Sequence, residues 1–361
     1  MSGIKEVATK AGVSIATVSN VLNKSKYVSP ELVKRVEKAV KELNYKVDPI
    51  ASGMKSKRSK TIGVITQDIC GVFYPYIMKG INSIADEKGY QVIMCDVDGS
   101  SHSSEIALGR ERALFHKLLA SRVDGIIFVS AITGEGQDEY FAELKKMARN
   151  KNGAIPMVSL ERDLTMLGID SVYFDSYNNV QKAVEHLAKC GCKKVGHIAG
   201  PVELQIANER RKGYEDYLKL HAMELDEEKM IAYGDYTHQS GYTAMKELLE
   251  NVPDIDGVFC GNDQMAIGAL RYLKEKNIDI PGQIKIIGYD DAFVSSVVEP
   301  PLSTIHIQKK TAGRRAATVL FERIEREGND EMAVGIKLES RLIVRKSTKE
   351  DAKEDWDLSD W

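Results

Sequence analysis

Eight side chains of this 361-residue chain sit where short apolar runs end. Asp68, Phe73 and Tyr74 follow TIGVITQ, and Arg162 follows AIPMVSL. Arg210 lies on the stretch after KKVGHIAG, Asn262 and Asp263 follow DGVFC, and Asp290 follows IKIIG. If those runs are parallel strands, ligands collect beyond their carboxyl ends. Arginine, carboxylates and amides gathered there suit a polyhydroxylated ligand, whose adjacent hydroxyls can be bonded in pairs. Each residue also has a plain structural reading: Asp263 as a helix cap, Asp290 as a turn cap, Arg210 as a surface partner of Glu203 or Glu209. Catalysis is not indicated. The sequence has no Ser-His-carboxylate motif, no P-loop and no three-glycine dinucleotide fingerprint. Gly134 and Gly136 lack a third glycine, and His186, His197 and His221 read as surface or packing residues. An enzyme is therefore not expected, nor a cofactor.

A second chemically pointed stretch is VSIATVSNVLN, residues 13 to 23. Ile15, Val18 and Leu22 recur at spacings of three and four, which predicts a short amphipathic helix entered through the N-cap Ser14. The preceding IKEVATKAG reads as a helix with Ile4, Val7, Ala8 and Ala11 on one face, stopped by Gly12. Helix, glycine turn, helix is the outline of a helix-turn-helix, whose second helix enters the DNA major groove. Two short helices around a glycine are also an ordinary way to build core. After Val28-Ser29-Pro30, the residues Leu32, Val33, Val36, Ala39, Val40 and Leu43 predict a third helix ending at Asn44-Tyr45.

The elements that must position these residues can be read from pattern and charge. Residues 1 to 60 hold thirteen Lys/Arg against five Asp/Glu, and the rest 37 against 48. A basic segment on an acidic body is the asymmetry of a nucleic-acid-binding head. From Lys60 onward, apolar strand runs alternate with helices near 74–88, 103–121, 137–151, 176–190, 205–221, 237–250, 263–276 and 309–327. That alternation predicts parallel, doubly wound sheets in two similar lobes. The strand SVYFD opens the second series, and the final part (STIHI, a helix, then AVGIKLESRLIVR) is expected to cross back and complete both lobes. The lack of an export signal or apolar span leads to the expectation of a cytoplasmic protein with no membrane partner. The five cysteines, Cys70, Cys95, Cys190, Cys192 and Cys260, are expected to be free thiols. No ligand spacing for a metal accompanies Cys190 and Cys192.

The wording of the N-terminal stretch narrows the reading. Ile4, Val7, Ala8, Ala11, Gly12, Val13, Ser14, Thr17, Val18, Ser19, Val21, Leu22 and Asn23 match, in one register without gaps, the I-x-x-V-A-x-x-A-G-V-S-x-x-T-V-S-x-V-L-N pattern. In this the chain resembles the lactose-repressor/galactose-repressor (LacI/GalR) family of bacterial transcription regulators, over roughly residues 3 to 348. The resemblance implies an N-terminal all-α helix-turn-helix head and an α/β two-lobed, type I periplasmic-binding-protein-like body with parallel doubly wound sheets. Its expected divisions are a DNA-binding domain over 1–47, a hinge helix or linker over 48–60, and an effector-binding and dimerisation domain over 61–348. Lobe 1 would take about 61–162 and 292–326, and lobe 2 about 163–291 and 327–348. An acidic tail over 349–361, carrying Trp356 and Trp361, is expected to be disordered or to dock on a partner or on the body.

It also implies roles. Ser14, Thr17 and Ser19 would hold phosphates or the helix start, while Ile15, Ala16 and Asn20 face base edges. Asn20 stands where relatives often carry Arg, and Asn pairs with adenine where Arg prefers guanine. Asn23, Tyr45, Met54 and Lys55 complete the DNA-contacting set, Met54 as an apolar wedge in the minor groove. Arg210 (in R-x-x-G-Y), Asn262 and Asp263 (in G-N-D-Q-M-A) and Asp290 (in I-I-G-Y-D-D) would contact the effector. The mouth of the first lobe departs from the family: Gln67 replaces a proline, and Cys70-Gly71-Val72 replaces a polar run. The implied partners are palindromic operator DNA, a sugar-like effector and a second copy of the chain. The alternative is a phosphorylated carrier protein as co-effector, with Arg314 and Arg315 meeting its phosphate.

Overall fold

The computed structural model describes residues 3–23, 26–45, 58–97, 104–130, 132, 134, 136–150, 153–326 and 332–353. Two compact units emerge, Met1–Ser59 and Lys60–Trp361. In the first, α1 (Ile4–Ala11), α2 (Ile15–Asn23) and α3 (Pro30–Glu42) follow the apolar spacing of the sequence. Gly12 ends α1 by adopting φ 63°, a left-handed conformation that favours glycine. The Gly12 and Val13 amides then close on the carbonyls of Thr9 and Ala8 at 3.2 and 3.0 Å. Ser14 Oγ accepts the Thr17 amide at 3.0 Å and so caps α2. Val7, Ala8, Ala11, Val18, Val36 and Ala39 form the core, with Tyr45 among the half-buried residues packed around it. The hinge positions Met54 and Lys55 lie outside the described residues, as do Trp356 and Trp361.

The second unit contains two six-stranded sheets. The strands are β1 (Thr61–Thr66), β2 (Gln91–Asp96), β3 (Gly125–Phe128), β4 (Met157–Glu161), β5 (Asp170–Phe174), β6 (Val195–Ala199), β7 (Ile231–Tyr233), β8 (Gly257–Cys260), β9 (Lys285–Asp290), β10 (Ser303–His306), β11 (Gly335–Leu338) and β12 (Arg341–Ile343). The first sheet runs β11-β5-β4-β3-β1-β2 and the second β12-β10-β9-β8-β6-β7. Every pairing is parallel except β10 with β12. Runs such as β3 and β8 are buried throughout, as strands covered by helices on both faces must be. The covering helices are α4 (Tyr74–Lys88), α5 (Ser104–Ala120), α6 (Gln137–Met147), α7 (Ser176–Lys189), α8 (Gln205–Leu220), α9 (His238–Asn251), α10 (Asp263–Glu275) and α11 (Lys309–Glu325). Where α4 crosses α11 the backbones nearly touch, since a Cβ on Gly80 or Gly313 would run into the carbonyl of Lys310 or Ile77.

The lobe boundaries expected from sequence need correcting at three strands, β5, β10 and β11; the last pairs with β5 in the first sheet, although residues 327–348 are expected in lobe 2. β5 belongs to the first sheet, beside β4, although the sequence reading opened the second lobe with it. The link between them holds only a 3-10 turn, Thr165–Leu167, where a parallel crossover commonly carries an α-helix. What holds β5 there is long-range. Arg323 on α11 donates Nε and Nη2 to the two carboxylate oxygens of Asp170, both at 2.8 Å, and the Val334 amide adds a third bond. Conversely β10 lies in the second sheet, beside β9, although residues 292–326 were expected in lobe 1. The chain thus crosses between lobes after β5, after β10, and between β11 and β12. Helix α6 also stops at Met147, short of the predicted 151, because Arg149–Asn150 pairs with Gly153–Ala154 as a small hairpin. The five cysteines are free. Among the described residues no helix is long and apolar enough to cross a membrane.

Candidate functional site

A cavity of about 800 Å³ opens at the carboxyl ends of the strands, lined from both sheets. Seven of the eight sequence candidates reach it: Asp68, Phe73, Tyr74, Arg162, Arg210, Asn262 and Asp290. Asp263 does not. Its carboxylate turns into the second lobe and is wholly buried, accepting the Thr304 hydroxyl and the Ala292 amide, each at 2.7 Å. Burial, then the charge of Asp290, pushes its carboxyl up to about 7. Asp263 therefore fixes the Asp290–Ala292 turn and is not a cleft residue. The helix cap is its neighbour: Asn262 Oδ1 accepts the Met265 amide at 2.9 Å, while Nδ2 donates to the Tyr236 carbonyl at 3.0 Å.

At the deep end Arg210 is buried, which excludes the surface pairing with Glu203 or Glu209. Its Nη1 donates to the Gly261 carbonyl at 2.6 Å, and Nη2 lies 3.8 Å from Asp290 Oδ1. The guanidinium stacks 3.9 Å from the centre of the Tyr289 ring, a cation–π contact that keeps its plane fixed. Burial raises the Asp290 carboxyl to about 7, against the opposing pull of Arg210 and Lys309. Lys309, itself fully buried at the start of α11, donates to the carbonyls of Asp290, Asp291 and Ile307. The strand end that presents Asp290 is thus tied to a lobe crossing.

Two further residues, outside the sequence candidates, complete this end. Glu161 precedes Arg162 and accepts the Tyr74 hydroxyl on Oε2 at 3.1 Å. Burial raises its carboxyl, and Arg210 opposes the shift. Tyr236 sits on the loop after β7, its ring centre 6.0 Å from the Arg210 guanidinium. Glu161, Tyr236 and Asp290 all have positive φ, at 69°, 68° and 105°. Non-glycine residues held in that region cost of order 1–3 kcal/mol each and cluster at ligand sites. Glu161 and Asp290 are the last residues of β4 and β9 and Tyr236 lies three residues beyond β7, and that placement is the signal the sequence carries for them.

Other candidates are placed but already engaged. Arg162 donates to the Ile132 carbonyl at 2.5 Å and to Gln137 Oε1 at 3.0 Å, so it shapes the rim. Asp68 Oδ1 accepts the amides of Cys70 and Gly71 at 2.9 and 3.0 Å, and Gln67 Nε2 donates to the Val129 carbonyl at 3.0 Å. The unusual first-lobe mouth is therefore a tight Asx turn, followed by Phe73 packed edge-on to Tyr74 at 5.2 Å.

In the head, Ser14, Ile15 and Ala16 are exposed at the start of α2, Thr17, Ser19 and Asn20 are half-buried, and Asn23 is the last helical residue. Ile15 is 37% exposed, an unpaired apolar side chain beside the first turn. The Ser14 hydroxyl is occupied in capping and bonds the Thr17 hydroxyl at 2.9 Å. Tyr45 is a packing residue of the head's core.

Comparison with known proteins finds matches in both units. Residues 3–48 match "Bacterial regulatory proteins, lacI family", and residues 184–348 match "Periplasmic binding protein-like domain". The transcriptional repressor PurR of Pasteurella multocida (strain Pm70) is 32% identical over 349 residues, covering 97% of this chain and 99% of the relative. Catabolite control protein A of Priestia megaterium is 31% identical over 347 residues, covering 96% and 99%. Among solved structures, the Lac repressor dimer bound to operator and an anti-inducer superimposes with a TM-score of 0.83 at 28% identity, covering 96% of this chain and 99% of that one. A CelR–cellobiose complex superimposes with a TM-score of 0.67 at 30% identity, covering 96% and 100%. A DNA-reading head, a two-lobed body with a cleft, and relatives matched along almost their full length place this chain in the LacI family of bacterial transcription regulators.

Proposed function

We propose that this chain is a cytoplasmic, homodimeric repressor that binds a palindromic operator and releases or grips it according to a sugar-like effector in the interlobe cleft. The observation that carries the effector reading is the deep end of that cleft. There one immobilised guanidinium, Arg210, faces Asp290 and Glu161, with Tyr74 and Asn262 alongside. Fixed donors and acceptors set at this spacing can bond adjacent sugar hydroxyls bidentately. Carbohydrate-linked relatives support the reading, since one is a CelR protein solved with cellobiose and another a Lac repressor solved on its operator.

In the head, Ile15, Ala16 and Asn20 would meet base edges while Ser19 and Lys55 meet phosphates, with Met54 entering the minor groove. Effector bound across the cleft would change the angle between lobes at three chain crossings. The Lys309 bonds to the Asp290 strand end give that change a mechanical route. A connector too short to be helical alone would turn it into a large change in operator affinity. Selection of bound sequences from a random duplex pool tests the DNA half, and a palindromic consensus with steep salt dependence is expected. Thermal-shift screening with carbohydrates tests the effector half, and no stabilising sugar would overturn it.

A second reading has a specific observation behind it: similarity to a catabolite control protein, together with exposed Arg314 and Arg315 on α11. Arg314 Nη1 already donates to Ser83 Oγ at 2.7 Å, which weakens it as a phosphate receptor. A pull-down with a phosphorylated carrier protein separates the readings.

A further inference from the structure

The charge of the cleft lining bears on the class of effector. Two arginines line it against five carboxylates, with no lysine among the lining residues. Both Nη atoms of Arg162 are engaged on protein oxygens, so Arg210 is the cation left facing the deep end. The N-terminal ends of α4, α8, α9 and α10 also reach the cleft and contribute positive field. Even at about half a charge each, they leave the balance negative.

The two deepest carboxylates are short of donors. Glu161 receives one bond, from Tyr74 on Oε2, and no donor to Oε1 is found among the described residues. Among the described residues, the partner found for the Asp290 side chain is Arg210 at 3.8 Å. Both carboxyls are shifted upward primarily by burial, as expected where positive charge is scarce. An occupant must therefore bring hydrogen-bond donors to these oxygens. A phosphate or carboxylate placed there would meet like charge, with one guanidinium to offset it.

Resting on the reading of the cleft as effector site, we propose that the effector is a donor-rich, non-anionic carbohydrate, a neutral or aminated sugar. Its hydroxyl or ammonium hydrogens are received by Glu161 and Asp290. Glu161 is thereby a specificity-determining residue that turns away sugar phosphates and sugar acids.

The test uses the full chain and matched sets on three scaffolds. Glucose, glucosamine, gluconate and glucose 6-phosphate form one set, galactose with its corresponding derivatives a second, and cellobiose with its phosphorylated and oxidised forms a third. Melting shifts rank them and calorimetry gives affinities. On whichever scaffold binds, the neutral or aminated form is expected to bind at least about tenfold more tightly than the anionic ones. Glu161→Gln keeps an oxygen for Tyr74 and so is expected to melt near the parent, while binding the preferred ligand about tenfold more weakly. Asp290→Asn provides a second variant, expected to melt near the parent and to bind the preferred ligand about 10- to 100-fold more weakly. Tighter binding of a phosphorylated form, or unchanged affinity in Glu161→Gln, overturns this inference and leaves the sugar site standing. Failure of every scaffold in every charge state overturns both.

Discussion

Asn262-Asp263 offered two adjacent candidate contacts in the sequence, and the structure separates them in a way that mutation can check. Asp263 accepts one N–H and one O–H, each at 2.7 Å, with no exposure. In Asp263→Asn the amide oxygen can keep the Ala292 N–H, and the amide nitrogen can donate to Thr304, whose hydroxyl rotates to accept it. That rotation turns the Thr304 hydroxyl hydrogen off its acceptor while Oγ1 still receives the Asp291 amide at 3.2 Å, so a buried donor is left short of a partner. Exchanging two charge-assisted bonds for neutral ones costs about 1 kcal/mol each. Against that, the variant no longer buries a carboxyl already pushed up to about 7 by its surroundings. The unsatisfied donor tips the balance, so the fold should lose about 1–3 kcal/mol while effector affinity stays within about 1 kcal/mol of the parent.

Asp290→Asn removes a charged acceptor that the occupant itself uses. The loss should be about 1.5–3 kcal/mol, a 10- to 100-fold weakening. Calorimetry with the effector found by melting screens measures both. If Asp263→Asn weakens binding as much as Asp290→Asn, Asp263 touches the ligand and the assignment of a positioning role is wrong.

Three further outcomes are expected. Effector affinity should be full above about pH 7 and fall as pH drops below it, approaching tenfold per unit, because protonating Asp290, whose carboxyl lies at about 7, removes the form that accepts ligand donors; a flat calorimetric profile across that window would contradict this. Asn20→Arg should shift preference at one half-site base from adenine toward guanine, by about 1–3 kcal/mol, and an unchanged selection profile would refute it. Gly12→Ala should cost the head about 1–2 kcal/mol, since φ is 63° there and a Cβ would also press on the Arg35 guanidinium; unchanged melting of the head and unchanged operator affinity would argue against that strain.

Whatever depends on neighbours a few residues away is legible in the amino-acid order. Apolar spacing of three and four placed α1 to α3 and their shared core. Ser14 and Gly12 marked a cap and a stop by local chemistry, and both hold in the structure. The alternation of strand runs with helices set the α/β class, because burial on both faces leaves its mark on every central strand. How distant parts meet is settled by the folded chain. The sheet that β5 joins depends on Asp170 finding Arg323 over 150 residues later. The direction of Asp263 depends on Thr304 and Ala292, and Glu161, at the end of β4, gains its place through Tyr74 at the start of α4. Lys309 looks like any charged residue opening a helix, yet it is wholly buried on three carbonyls at a lobe crossing. Periodicity records which face of an element is covered. It carries no record of the partner, because pairing and burial of a single polar side chain are set by contacts between segments far apart in the chain.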